Sequence, residues 1–344
     1  MRGLNPWAGC DSDRDGYFQA KGSGEMNFIL FLIKRIVSIA LTTCVIIALS
    51  YTLMYFAPGS FFNQQQVASG AATLQAENPR AYAQMMKEWE NRYGLNKPLY
   101  IQIGYYIYHS FTLNFGTSFE NPTTPILSTL EQAFPVSFTL AFGSIVVAAI
   151  VGIPLGIFLA LRRNTWIDLI FSPLSMAGQA IPAFVFAVFL VVIFGVFWPI
   201  LPTQGWGSPL QAVLPILALA FGNVSKLTRF MRSTTIDTLR QDFIRTARAK
   251  GVPEMRIILR HVLRNSLVAV ITMIGPTFAF TIVGTVWVEN IFALPGLGML
   301  MQSAFGANDY PLAITYIFML SLLVMIINLL VDISYRALDP RVRI

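Results

Sequence analysis

Stretches of about 20 mostly apolar residues recur along this chain and limit its possible folds more than any other feature. The first runs over 36–57 and the last over 312–333. A helix needs about 20 apolar residues to cross a hydrocarbon core of roughly 30 Å. Hydrophobic residues make up 55% of the chain and charged residues only 12%, against about 25% charged residues in soluble domains. The sequence therefore predicts an all-α integral membrane protein.

Six membrane-spanning helices are predicted. The four between the first and the last are 134–161, a span within 167–200, 210–224 and 267–288. The third contains Pro173 and Pro182, which membrane helices tolerate because neighbouring helices can satisfy the freed backbone groups. The first apolar run is longer than the apolar part of a signal peptide, about 7 to 15 residues. We therefore expect it to remain in place as span one.

Polar sequence between the spans divides the chain into four parts. Residues 1–25 are polar and predict a disordered extension. Residues 26–57 contain the first transmembrane helix, 58–131 form a long polar segment, and 132–344 form a core domain with the other five spans. Within the long segment, a cap at Asn78, a first-turn Pro79 and a stop at Gly94 predict a short amphipathic helix that lies on the membrane surface.

The basic residues predict the orientation. Short cytoplasmic loops carry an excess of Lys and Arg. With both termini in the cytoplasm, 20 of the 24 basic residues lie inside, ten of them within 226–264. The other four lie in 58–131, which is then extracytoplasmic. The net charge of +7 is thus explained by topology and by membrane lipid, and no nucleic-acid partner is expected.

Several other functional classes lack support in the sequence. No Lys is followed by Ser or Thr, so the chain has no phosphate-binding loop of its own, and no Gly-x-Ser-x-Gly is present. His109 and His261 fall on opposite sides of the predicted membrane and cannot share a metal. An ion-coupled carrier would need charges within its spans or inverted repeats, and we find neither. No catalytic residue, metal site or cofactor is predicted for this chain.

A short cytoplasmic segment, 242–253, is the most unusual part of the sequence. It predicts a helix that Gly251 ends and a second helix that begins near Pro253. A charge patch for orientation or for lipid headgroups does not require Ala247, Ala249 and a sharp stop. We therefore predict that this helix-turn-helix docks into a groove of a partner protein. The predicted docking residues are Arg245, Thr246, Ala247, Arg248, Ala249, Lys250, Gly251 and Pro253.

The same segment resembles a known family. Residues 245–251 together with 260–265 are similar to the coupling loop of ABC importer permeases, in the form of the B-type subunits of dipeptide and oligopeptide permeases. The general loop begins Glu-Ala-Ala and ends Leu-Pro, and this chain departs from it at both places, as the peptide branch does. Further ordered matches lie at 56–59, 93–100, 152–156, 289–292, 295–298, 309–311 and 338–341.

The resemblance implies a six-transmembrane-helix type I ABC importer permease fold and a transport subunit, which is not an enzyme. The implied partners in the cytoplasmic membrane are a second permease, two ATP-binding cassette ATPases that bind ATP and Mg, and an extracytoplasmic substrate-binding protein. Nucleotide binding by the ATPases is expected to move the 245–251 helix as a rigid lever. Peptides are the expected substrate. Metal chelates such as nickel complexes and glutathione are alternatives within the class, and a secondary carrier is a more distant one.

A few residues near the ends of spans five and six are candidates for a substrate pathway or outer gate. Glu289 would place a carboxylate at the mouth of a pore, where it could bind a peptide amine, but capping or pairing with a protein group is an equal alternative. Gly152 and Gly156 predict close packing of helices. The candidate pathway residues are Glu289, Pro295, Gly296, Gly298 and Asp309.

Overall fold

The computed structural model describes residues 12–56, 75–94, 97–118, 120–121 and 123–338. Residues 1–11 of the predicted extension lie outside this range, as do 57–59, 95–96 and 339–341 of the matched motifs. Residues 12–25, also predicted to be disordered, belong instead to the first helix, which begins at Ser12.

The described part of the chain is helical, with one isolated β-bridge and no strand. We number the helices in chain order as α1 (Ser12–Phe56), α2 (Pro79–Tyr93), α3 (Leu99–Phe111), α4 (Ile126–Leu161), α5 (Trp166–Ala180), α6 (Ala183–Phe197), α7 (Pro209–Leu239), α8 (Asp242–Ala249), α9 (Glu254–Ile291), α10 (Leu297–Gly306) and α11 (Tyr310–Leu338).

Five of these helices are long and apolar enough to cross a membrane, namely α1 over Leu30–Phe56, α4, α7, α9 and α11. The predicted third span is instead the pair α5 and α6, which bends by 96° and makes a sixth span if the pair crosses as one. Pro182 explains the break, because the residue before a proline is driven out of the helical region. Ile181 has φ −89° and ψ 116°, whereas Pro173 lies within α5.

Helices α7 and α9 are longer than their predicted spans. The predicted fourth span, 210–224, ends well before Leu239, and the predicted fifth, 267–288, begins after Glu254. Each predicted span stopped at its first charged residues. A helix that leaves the hydrocarbon core can continue through hydrated turns that carry charge. Both helices therefore extend past their apolar runs toward the short helix α8.

Helix α7 lies at the centre of the bundle and packs against α4, α5, α6 and α9. Its closest crossing is with α4, at the two glycines predicted to pack. A Cβ atom on Gly156 would lie 2.7 Å from both the Met231 Cβ and the Thr228 carbonyl oxygen, and one on Gly152 would lie 3.0 Å from the Val224 oxygen. The predicted packing role of both glycines is confirmed, since only Gly allows the backbones this close.

Buried polar contacts also hold α7 in place. Asp168 of α5 is 5% exposed and accepts two hydrogen bonds from Arg232, at 2.8 Å from Nε and 2.7 Å from Nη2. Nearer the middle, the Asn223 side-chain amide donates to Thr281 of α9 at 3.1 Å and to Ser144 of α4 at 3.4 Å. Because buried polar groups need partners, these contacts favour one arrangement of the helices.

The segment between α1 and α4 folds onto the ends of α1 and α11. The Asn78 carboxamide caps α2 by accepting from the Ala81 amide at 3.1 Å, and Gly94 ends it with φ 62°, as predicted. The apolar face of α2 packs through Met85 and Met86 against the protein's own hydrophobic cluster. Its place on the membrane surface stays a prediction.

Candidate functional site

The predicted helix-turn-helix is present between α7 and α9. Helix α8 ends at Ala249, and the chain then reverses through Gly251, whose φ of +74° lies in the left-handed region that favours glycine. Within the turn, the Gly251 amide donates to the Arg248 carbonyl oxygen at 2.9 Å. Pro253 then precedes the first residue of α9, Glu254. We call residues 239–262 the loop module.

A small hydrophobic core holds the loop module together. Ile244 of α8 and Ile257 and Val262 of α9 are buried, and Leu239, Ala247 and Val252 pack against them. Near its start, α9 contains a π-helical segment, Ile257–Val262. Ile257 and Val262 lie in this segment and pack against Ile244 of α8. Ala247, predicted to dock, is half-buried in this core and packs within the chain.

An ion pair joins the two sides of the turn. The Arg248 guanidinium donates to the Glu254 carboxylate at 2.6 Å from Nη2 and 3.2 Å from Nε. These hydrogen bonds raise the pKa of Arg248 above its ordinary value. Both side chains are about half exposed. We call this surface ion pair between α8 and the first turn of α9 the brace.

The remaining predicted docking residues share an exposed position. They are Arg245, Thr246, Ala249, Lys250, Gly251 and Pro253. Sequence reasoning missed three large apolar side chains on the same module, Phe243, Met255 and Leu259, which are 40%, 66% and 59% exposed. Phe243 lies next to the buried Ile244 on the short polar helix α8, whereas Met255 and Leu259 lie in the first turns of α9. Cations interspersed with exposed apolar side chains are typical of a protein-binding surface.

A second cluster surrounds Glu289 at the end of α9. Its carboxylate is fully buried and accepts from the Ser137 hydroxyl at 2.6 Å, from the Gly298 amide at 2.6 Å and from the Met299 amide at 3.3 Å. The last two amides belong to the first turn of α10, where a negative charge is favoured by the helix dipole. Glu289 therefore caps α10, which is the alternative that the sequence left open.

The glycines that follow make this cap possible. A Cβ atom on Gly296 would lie 2.4 Å from the Glu289 Cδ, and one on Gly298 would lie 2.3 Å from the Val286 Cα. Only residues without a side chain let the loop pass this close to α9. Pro295, before them, is exposed.

Asp309 has the same role at the start of α11. It is fully buried and accepts from the Ser118 hydroxyl, and from the Leu312 amide at 3.2 Å. It thus ties the loop before α4 to the first turn of α11. Contact between the five candidate pathway residues and a substrate stays a prediction. Among the described residues, no group of three His, Cys, Asp or Glu side chains could hold a metal ion.

Comparison with known proteins decides the family. Residues 152–344 match the model of the binding-protein-dependent transport system inner membrane component family. The chain belongs to this family. The matched residues include, at least in part, the crossing of α4 and α7 at the two glycines, the loop module, and the contacts of Glu289 with the first turn of α10. Together with the five apolar helices, family membership makes the chain a multi-pass membrane protein.

Curated relatives resemble nearly the whole chain. The dipeptide transport system permease protein DppB of Bacillus subtilis is 37% identical over 91% of this chain and 98% of its own length. The oligopeptide transport system permease protein OppB of Haemophilus influenzae is 36% identical over 91% and 99%. The glutathione transport system permease protein GsiC of Salmonella typhimurium is 34% identical over 91% and 98%. All three are transport subunits by name.

A solved structure shows the same fold. The inward-facing MetNI methionine ABC transporter matches 63% of this family member and 99% of its own chain, with a TM-score of 0.55 and 20% identity. The predicted type I permease fold is therefore confirmed.

Proposed function

We propose that this chain is the permease subunit of an ATP-driven importer of peptides. It pairs with a second permease in the cytoplasmic membrane, with both termini in the cytoplasm. Two ATPase subunits bind ATP and Mg, and an extracytoplasmic binding protein delivers the peptide. The observation that carries this proposal is the 37% identity over 91% of the chain to a dipeptide permease.

The loop module gives the proposal a mechanism. Its exposed residues, among them Arg245, Thr246 and Lys250, form the surface that meets an ATPase subunit. The buried Ile244 and the Arg248–Glu254 pair connect this surface to α9. A partner that binds one orientation of the module more tightly therefore shifts the equilibrium of the spans toward that state.

Replacement of Gly251 by Val tests the coupling role. No atom lies within 4 Å of a Cβ placed there, so the effect is confined to the turn. A β-branched residue disfavours the left-handed conformation by roughly 1–2 kcal/mol. We expect normal membrane insertion but loss of ATP-dependent uptake of a labelled dipeptide and of substrate-stimulated ATP hydrolysis, measured with the whole complex in proteoliposomes.

Gly251→Asn is the matched control, because Asn adopts the left-handed conformation at a smaller cost. It should keep most of the coupled transport. Full transport by the Val variant would contradict the coupling role. Uptake that proceeds without ATP in the unmodified complex would instead support a secondary carrier.

Glutathione is a second candidate substrate, because the relative GsiC is 34% identical over nearly its whole length. Competition distinguishes the two substrates. A tenfold excess of unlabelled glutathione should leave dipeptide uptake unchanged if peptides are the main cargo, and should suppress it if glutathione is.

A further inference from the structure

A cavity of about 380 Å³ opens between α4, α11 and the start of α10. Aliphatic and aromatic side chains form nearly all of its wall, including Leu127, Leu130 and Phe134 of α4 and Leu323 of α11. The volume lies within the range of small-molecule pockets, about 300–1,000 Å³. The cavity can therefore hold an apolar group of the size of one or two amino-acid side chains.

One ionisable carboxylate lines this cavity. Glu131 is exposed and lies on the same face of α4 as Leu127 and Phe134, one turn from each. Among the described residues, no cation pairs with it and no donor hydrogen-bonds to it. Glu131 precedes the apolar run 134–161 and lies at the predicted extracytoplasmic end of α4. Glu131 is thus an exposed carboxylate, without a partner among the described residues, beside an apolar cavity.

Glu289, the carboxylate that the sequence singles out, is not available for the same task. Its two oxygens are occupied by Ser137 and by the first turn of α10. Leu297 connects the two places, since its amide donates to the Ser137 hydroxyl at 2.8 Å while the residue also lines the cavity. The α10 cap therefore builds one wall of the cavity and leaves Glu131 as the charge that faces it.

We propose that this cavity is a peptide subsite, in which an apolar side chain fills the cavity and a free N-terminal ammonium pairs with Glu131. The inference rests on the proposed import of peptides and names the kind of peptide favoured. A carboxylate beside an apolar wall is complementary to an occupant that carries a cationic amine next to an apolar group. A peptide with an apolar first residue has this arrangement at its N-terminus.

Photolabelling tests this assignment. The probe is a dipeptide of leucine and a diazirine-bearing leucine analogue, used with a free or an acetylated N-terminus. It is applied to washed vesicles that contain the whole complex but no binding protein. We expect the free-amine probe to label the α4 fragment that contains 127–134. Glu131→Gln should lower this labelling about tenfold, which corresponds to about 1.4 kcal/mol of lost charge pairing, and Glu131→Asp should retain most of it.

Two controls make the outcome decisive. Glu77→Gln alters an exposed carboxylate that does not line the cavity, and should change nothing. Leu323→Trp should fill the cavity and abolish labelling of the fragment by either probe. The subsite is overturned if Glu131→Gln leaves the ratio of free-amine to acetylated labelling unchanged, or if labelling survives in Leu323→Trp. Failure of the proposed function looks different, because the unmodified complex would then take up no dipeptide at all with ATP.

Discussion

Two glutamates near α10 show how local surroundings assign different roles to the same side chain. Glu289 is fully buried, and hydroxyl and amide donors surround its oxygens. Glu131, about two turns before Ser137 on α4, is exposed and has no partner among the described residues. A carboxylate whose bonds are satisfied inside the protein stabilises the fold, whereas one without partners is free to bind a ligand.

Glu289→Gln tests the capping role at the level of one atom. The Gln side chain has the same size but no charge at the start of α10. Its NH₂ group also takes the place of an oxygen that accepted hydrogen bonds, and so it faces hydroxyl or amide donors. We expect a loss of about 1–3 kcal/mol in the free energy of unfolding, seen as a lower melting temperature of the purified protein in detergent. Glu131→Gln is the matched control and should leave the melting temperature unchanged.

The same pair of variants also tests the substrate-pathway prediction for Glu289. If Glu289→Gln melts like the unmodified protein but changes which peptides are taken up, the carboxylate faces the pathway in a working state of the importer. The α10 cap would then be secondary.

At the scale of helices, the close crossing of α4 and α7 depends on Gly152 and Gly156, which have no side chain. Gly156→Ala places a methyl group 2.7 Å from a backbone oxygen of α7, which cannot move aside without shifting the helix. Overpacking of this kind costs about 1–3 kcal/mol. We expect a lower melting temperature and a reduced amount of folded protein in the membrane.

Gly284→Ala serves as the control for this substitution. Gly284 lies in α9, and a Cβ atom placed there has no neighbour within 4 Å. The variant should be as stable as the unmodified protein or slightly more so, because Ala favours the helix. Equal destabilisation by both substitutions would mean that glycine is needed for helix flexibility and not for close packing.

The helices themselves were largely predictable, and their ends and contacts were not. Apolar runs predicted α1, α4 and α11, and turn residues predicted α2 and the loop module, because these signals are local. The extension of α7 to Leu239 follows the apolar run and carries charge, and its stabilising contacts, such as that of Arg232 with Asp168, cannot be read from the local sequence. The role of Glu289 likewise depends on Ser137, 152 residues earlier in the chain.

At the scale of the whole molecule, the loop module is expected to move together with α9, to which the Arg248–Glu254 pair joins α8. Arg248→Ala or Glu254→Ala removes the brace and should reduce ATP-dependent transport while changing stability by less than about 1 kcal/mol, as is typical of exposed pairs. The exchange Arg248→Glu with Glu254→Arg restores opposite charges across the turn. We expect it to recover more than half of the transport rate in proteoliposomes.

The exchange distinguishes a brace from a direct contact. If Glu254→Ala is fully active while both Arg248→Ala and the exchange are inactive, the guanidinium itself binds the partner protein. Arg248 would then act as the docking residue that the sequence predicts.

The position of the glycine crossing along α7 has a mechanical consequence. Thr228, which faces both Gly152 and Gly156, lies about 19 residues after Pro209 and about 11 before Leu239. At 1.5 Å per residue the two arms of α7 are about 28 Å and 16 Å long. A rotation of α7 by about 10° around this crossing moves its two ends by about 5 Å and 3 Å in opposite directions. A displacement applied at the loop module would therefore be enlarged at the opposite end of α7.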